Sequence, residues 1–97
     1  MRYLLLSLIG LIFTVSAVAQ TVTGTVNDDK GLPLDGVTVS VKGTKVSTST
    51  NDKGKFSIVA AATATLEFTN IGYETKVVPV NNQTDLTVQL TVTDSRM

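Results

Sequence analysis

The chain contains no cysteine, no histidine and no tryptophan among its 97 residues. Without histidine it has no side chain that ordinarily serves as a general base near neutral pH. Without cysteine it has no thiolate nucleophile and no disulfide. Aromatic residues make up 5% of the sequence, so the ring platforms on which sugars stack have one exposed candidate, Tyr73. Serine and threonine are plentiful, but the G-x-S-x-G, S-x-x-K and G-x-x-x-x-G-K patterns that would activate a hydroxyl or cradle a phosphate are missing. Catalysis is not expected, and no cofactor is implied.

Charge is scarce as well. Eight basic residues balance eight acidic ones for a formal net charge of +0 at pH 7, and the lysines stand singly among Thr and Ser. Nucleic-acid affinity comes from clustered Lys and Arg displacing counterions, so nucleic acid is not an expected partner.

One long hydrophobic run is present. Arg2 is followed by apolar residues from Leu4 to Val15 and then by small ones. The run is shorter than the roughly 20 residues a helix needs to cross a bilayer. Ala17 and Ala19 form the A-x-A pattern that precedes signal-peptidase cleavage. Residues 1–19 are therefore expected to be a signal peptide, cut between Ala19 and Gln20, with no nearby cysteine to carry a lipid. The trimmed chain, Gln20 to Met97, has 78 residues and one more acidic than basic side chain. A domain of this size buries only about 60% of the surface of its unfolded chain. Small exported domains often add disulfides; here packing and main-chain ladders must suffice, which favours a regular β-fold.

After the signal, apolar residues recur at every second position in segments rich in Val and Thr, the pattern of half-buried strands. Seven strands are predicted: 21–26, 36–42, 45–50, 55–60, 65–69, 73–80 and 85–91. The inward face is predicted to hold Val22, Val26, Val37, Val39, Val41, Phe56, Ile58, Leu66, Phe68, Leu86, Val88 and Leu90. The face of the 73–80 segment is ambiguous, because Tyr73, Val77 and Pro79 alternate with Val78 and Val80. Pro79 cannot donate to a ladder, which places that strand at an edge. Lys42, Lys45, Lys55 and Lys76 read as guards of exposed edges. No helix is predicted.

Asn, Asp and Gly punctuate the strands, as turns require. The stretch "TNDKGKFSI" at 50–58 could suggest a calcium loop, but calcium wants about six or more oxygen ligands, and here only Asp52 and the Asn51 amide are offered. The segment is expected to close a hairpin, with Gly54 left-handed. The "DKG" string recurs at Asp29 to Gly31 with different flanks, which reads as a second turn of like chemistry. No metal site is expected.

Taken together, these motifs resemble the carboxypeptidase-regulatory-like domain. The elements are Gly24 and Val26 in an opening G-x-V strand; Gly31, Pro33, Leu34, Gly36 and Val37 in a G-x-P-L-x-G-V turn; Val41 to Thr44, with Gly43, in V-K-G-T; Asp52, Gly54 and Phe56 in a D-x-G-x-F hairpin; and Ile71, Gly72 and Tyr73 in an I-G-Y corner. The resemblance covers Thr21 to about Leu90; in particular the chain resembles the copy at the N-terminus of TonB-dependent, SusC-like outer-membrane receptors of Bacteroidetes. It implies an all-β, seven-stranded Greek-key sandwich of transthyretin type over residues 20–91, with 92–97 as a C-terminal tail. By chemistry the motif residues are structural: glycines for positive φ, Pro33 to preset a turn, Phe56 to fill the core.

The function implied is that of a non-catalytic accessory module on the periplasmic side of an outer-membrane importer of glycans or other nutrients. Its partners would be the energising complex or the receptor's own plug and barrel. Two departures stand out. The family's usual glycine before the fifth strand is replaced by "AAATAT" at 60–65, and the chain stops at "TVTDSRM", where such receptors continue into plug and barrel. A truncated receptor or a stand-alone copy is therefore expected. The alternatives are a free-standing exported module that binds carbohydrate or protein, and a regulatory domain parted from its peptidase.

Overall fold

The computed structural model describes residues 19–93. The expected signal segment up to Val18, including Ala17, and residues 94–97 lie outside that range. Seven strands follow in order: β1 (Ala19–Asn27), β2 (Thr38–Val41), β3 (Ser47–Ser49), β4 (Lys55–Ala61), β5 (Thr65–Thr69), β6 (Lys76–Pro79) and β7 (Asp85–Gln89). Among the described residues there is no helix.

The strands form two sheets, in the orders β4-β1-β7 and β3-β2-β5-β6, and pack as an all-β sandwich, as expected. All pairs are antiparallel except β1 with β7, which run parallel. The hairpin predicted at 50–58 does not form. β3 belongs to one sheet and β4 to the other, so Asn51 to Gly54 carries the chain across the sandwich.

Four strands, β2, β3, β6 and β7, are shorter than their apolar patterns. At the start of β2, the Val37 N–H donates to the Thr50 hydroxyl, 2.9 Å, in place of a ladder carbonyl. Gly36 and Val37 together face Thr50, whose N–H reaches the Val37 carbonyl and whose carbonyl accepts the Gly36 N–H, so the regular pairing of β2 with β3 stops there. β6 starts only at Lys76, because Tyr73 closes a turn by donating its N–H to the Asn70 carbonyl, 3.1 Å.

Every residue predicted for the inward face is buried, joined by Ala60 and Val80. The ambiguous segment resolves with Val80 fully buried, Val78 partly so, and Val77 and Pro79 exposed. Phe56 on β4 and Phe68 on β5 come from opposite sheets and meet edge to face, centroids 5.5 Å apart at 69°, the arrangement aromatic quadrupoles prefer.

The turns are built in different ways. Asn81 and Asn82 both adopt positive φ, 54° and 65°, and the Gln83 N–H closes onto the Val80 carbonyl. Such tight turns need residues that tolerate left-handed geometry, which Asn does. Between β4 and β5, the Ala64 N–H bonds to the Ala61 carbonyl without any positive φ. The "AAATAT" segment thus needs no glycine.

Candidate functional site

The strand directions sort the loops onto two ends. Since β1 pairs antiparallel with β4 and parallel with β7, the ends of β1 and β7 lie beside the start of β4. The loops 28–37, 50–54, 70–75 and 90–93 therefore share one end of the sandwich. Turns 42–46, 62–64 and 80–84 share the other, where Ala19 also enters. Of the motif residues read from the sequence, Gly31, Pro33, Gly36, Asp52, Gly54, Gly72 and Tyr73 fall at the first end, and Gly43 alone at the second. Gly24 and Phe56 lie within β1 and β4, where Ala19 and Gln20 also sit.

At the first end two loops repeat one hydrogen-bond pattern. The Asp28 carboxylate accepts the N–H groups of Lys30 and Leu32 at 2.8 and 2.9 Å, and the Gly31 N–H returns to the Asp28 carbonyl. The Asn51 amide oxygen accepts the N–H groups of Lys53 and Lys55 at 2.9 and 3.0 Å, and the Gly54 N–H returns to the Asn51 carbonyl. Gly31 and Gly54 carry φ of 82° and 74°. The two "DKG" strings are one kind of turn, and the carboxyl or amide of the preceding residue is its keystone. One side-chain oxygen of each keystone, Oδ1, is occupied by its own loop. Among the described residues no group of acidic side chains is placed to hold a metal.

These loops are tied down. The Val26 N–H donates to the Gly54 carbonyl and the Leu34 N–H to the Val26 carbonyl. The buried Thr50 hydroxyl donates to the Leu34 carbonyl at 2.7 Å. The last described residues dock there too. Tyr73 bridges to Val92, and the Thr93 N–H and hydroxyl both reach the Gly72 carbonyl, at 3.0 and 3.3 Å. Main-chain hydrogen bonding at this end therefore continues to Thr93.

Against this rigid frame three aliphatic side chains stand out. Ile71 is 98% exposed, Leu32 59% and Val92 51%. Ile71 also borders a groove of about 400 Å³, whose other walls are Gly36, Thr38, Thr69 and Asn70. A fixed loop with an apolar tip suits contact with another protein, and the groove beside it offers hydroxyls and one amide. The exposure of Ile71 was not legible in the I-G-Y string, because a turn corner can point its first residue either way.

Known proteins share this chain's sequence and fold. Over 82 residues it is 40% identical to TonB-dependent receptor P39 of Formosa agariphila, covering 79% of this chain and 8% of that protein. Over 84 residues it is 36% identical to TonB-dependent receptor SusC of Bacteroides thetaiotaomicron, covering 84% of this chain and 8% of that one. The chain thus spans less than a tenth of the length of these relatives. Among solved structures it is similar to a chain in an N-terminal interface mutant of the type II cohesin–X-dockerin complex from Acetivibrio cellulolyticus. That match has 28% identity and a TM-score of 0.65, covering 80% of this chain and 61% of the other. The family model described as the CarboxypepD_reg-like domain matches residues 22–97, and the chain belongs to that family.

Proposed function

We propose that this chain is a non-catalytic, exported module that works by protein contact, in the role of an accessory domain of a TonB-dependent outer-membrane receptor on its periplasmic side. The first 19 residues serve as the export signal, and the motif residues shape the loops. The observation that carries the reading is the gathering of the family's loop motifs at one rigid end, with Ile71 exposed at its tip. That end is also where the backbone of Thr93 is fixed, so a receptor body following the module would begin beside the same loops. The partner is then the plug and barrel or the energising complex.

A photo-reactive residue at Ile71 tests this, with Val46 at the opposite end as control. In envelopes of a bacterium carrying such receptors, the Ile71 probe should cross-link to a receptor or its energising protein, and the Val46 probe should not. Equal labelling from both ends, or products containing neither class of protein, would overturn the reading.

The likeness to a chain of a cohesin–X-dockerin complex supports a second reading, a free-standing module that binds some other protein. It predicts cross-links from Ile71 to one partner that is not a receptor component.

A further inference from the structure

Aspartate followed by glycine is the pairing most open to succinimide formation, because glycine has no Cβ to crowd the attacking nitrogen. Among all the aspartates and asparagines of the chain, Asp35 alone has a glycine after it. Asp35 and Gly36 are both exposed, and the direction in which a Cβ on Gly36 would point is open space.

The main chain on either side of this pair is fixed, and one residue does most of the fixing. The Thr50 carbonyl accepts the Gly36 N–H at 3.1 Å, and the Thr50 N–H donates to the Val37 carbonyl at 3.0 Å. The Thr50 hydroxyl accepts the Val37 N–H and donates to the Leu34 carbonyl. Leu34 is held a second time, through its N–H to the Val26 carbonyl. Leu34, Gly36 and Val37 are thus all bonded to Thr50, with Asp35 between them.

We infer that Asp35–Gly36 is a site of spontaneous isomerisation to isoaspartate and that Thr50 restrains it. In this reaction the Gly36 main-chain nitrogen attacks Cγ of the Asp35 carboxyl group. A C–N bond forms, and the N–H proton and the carboxyl hydroxyl leave together as water. A water molecule then adds to one carbonyl of the succinimide and breaks its bond to nitrogen. Breakage at Cγ restores aspartate; breakage at the α-carbonyl leaves the chain running through Cγ as isoaspartate. No oxidant, reductant or cofactor enters, and the mass of the chain is unchanged.

The nitrogen that must turn onto Cγ is the one whose N–H is held by Thr50. With Leu34 and Val37 anchored on either side, the loop has to open locally before the ring can close. The product alters the proposed contact end. Gly36 walls the groove beside Ile71, and isoaspartate inserts one more main-chain carbon there between two anchored residues, so the bonds to Thr50 cannot all survive it. That consequence rests on the reading of this end as a contact surface; the chemistry does not.

The test incubates the full chain at neutral pH, in buffer and in concentrated urea, and digests it at intervals. Since the isomer has unchanged mass, it is read by the chromatographic shift of the Asp35 peptide and by labelling with a protein isoaspartate methyltransferase. Isoaspartate is expected at Asp35 well ahead of Asp28, Asp29, Asp52 and Asp85, and at least about tenfold faster in urea than in the fold. Thr50→Val should raise the rate in buffer about tenfold, whereas Thr50→Ser, which keeps the hydroxyl, should stay within about twofold. Gly24→Ala destabilises the sandwich without touching these bonds and should also stay within about twofold, which separates local opening from general instability. Isoaspartate no faster at Asp35 than elsewhere, or a rate in buffer equal to that in urea, overturns the inference. So does a Thr50→Val rate no higher than that of the unsubstituted chain or of Gly24→Ala.

Discussion

The ring of Phe56 lies over Gly24. The two residues are partners across the β1–β4 ladder, and a Cβ built on Gly24 would stand 2.7 Å from the ring and closer still to the Leu86 carbonyl oxygen. Gly24 does not have positive φ; it is needed because a backbone and a ring approach it from two sides. Gly24→Ala is expected to destabilise by about 3 kcal/mol, at the upper end for overpacking, because the Leu86 carbonyl is held in its ladder. Phe56→Ala removes the ring and should cost about 3–5 kcal/mol. The double variant should be less unstable than the two effects added. Urea midpoints for the three variants measure the coupling, and simple additivity would show that the contact is not shared.

The paired loops give a second expectation. Asp28→Ala and Asn51→Ala each remove an acceptor of two N–H bonds, and each should cost about 1–2 kcal/mol at roughly 1 kcal/mol per bond. Swapping the keystones, Asp28→Asn and Asn51→Asp, keeps an oxygen in place and should cost well under 1 kcal/mol. Chemical denaturation separates the two classes. Equal losses from alanine and from the swaps would mean that the side-chain oxygen is not what holds the turn.

The same loops also distinguish two glycines of like conformation. Gly31 has open space around its Cβ direction, while a Cβ at Gly54 would lie 2.6 Å from the Val26 carbonyl oxygen and 3.0 Å from Pro33. Gly31→Ala meets only the left-handed penalty, about 1–2 kcal/mol. Gly54→Ala meets that penalty and a contact with the Val26 carbonyl, which cannot move without straining its bond from the Leu34 N–H, so about 3 kcal/mol or more is expected. Thermal unfolding of both variants should show the larger fall for Gly54→Ala.

Much of this architecture was legible beforehand, and the parts that were not share a cause. Alternation identified all seven strands and the inward residues from Val22 to Leu90, since burial on one face of a pleat leaves a period of two. Pro79 placed β6 at an edge because a missing donor is a local property. Sheet membership is not local. "TNDKGKFSI" reads as a hairpin whether its strands pair with each other or part company, as β3 and β4 do. The parallel β1–β7 pair, the room Gly24 leaves for Phe56 and the exposure of Ile71 likewise depend on residues far away in the chain. The motif residues of the candidate site could be found from sequence; that most of them meet at one end required the strand directions.

Thr50 illustrates a polar residue inside an apolar alternation. It is the one buried polar side chain in the described core. Its hydroxyl accepts the Val37 N–H at 2.9 Å and donates to the Leu34 carbonyl at 2.7 Å. In this way it binds the start of β2, the end of β3 and the Gly31–Gly36 loop through a single oxygen. Thr50→Val keeps the shape and leaves a buried donor and an acceptor unmatched, so a loss of about 2–3 kcal/mol is expected. Thr50→Ser keeps the hydroxyl and removes one methyl, at about 1 kcal/mol. Hydrogen exchange should separate the local effect from the global one. In Thr50→Val the Val37 amide should exchange faster by more than the drop in overall stability explains, because its only acceptor is gone. If Val37 remains as protected as its neighbours on β2, the hydroxyl is not the bond that joins the loop end to the sheet.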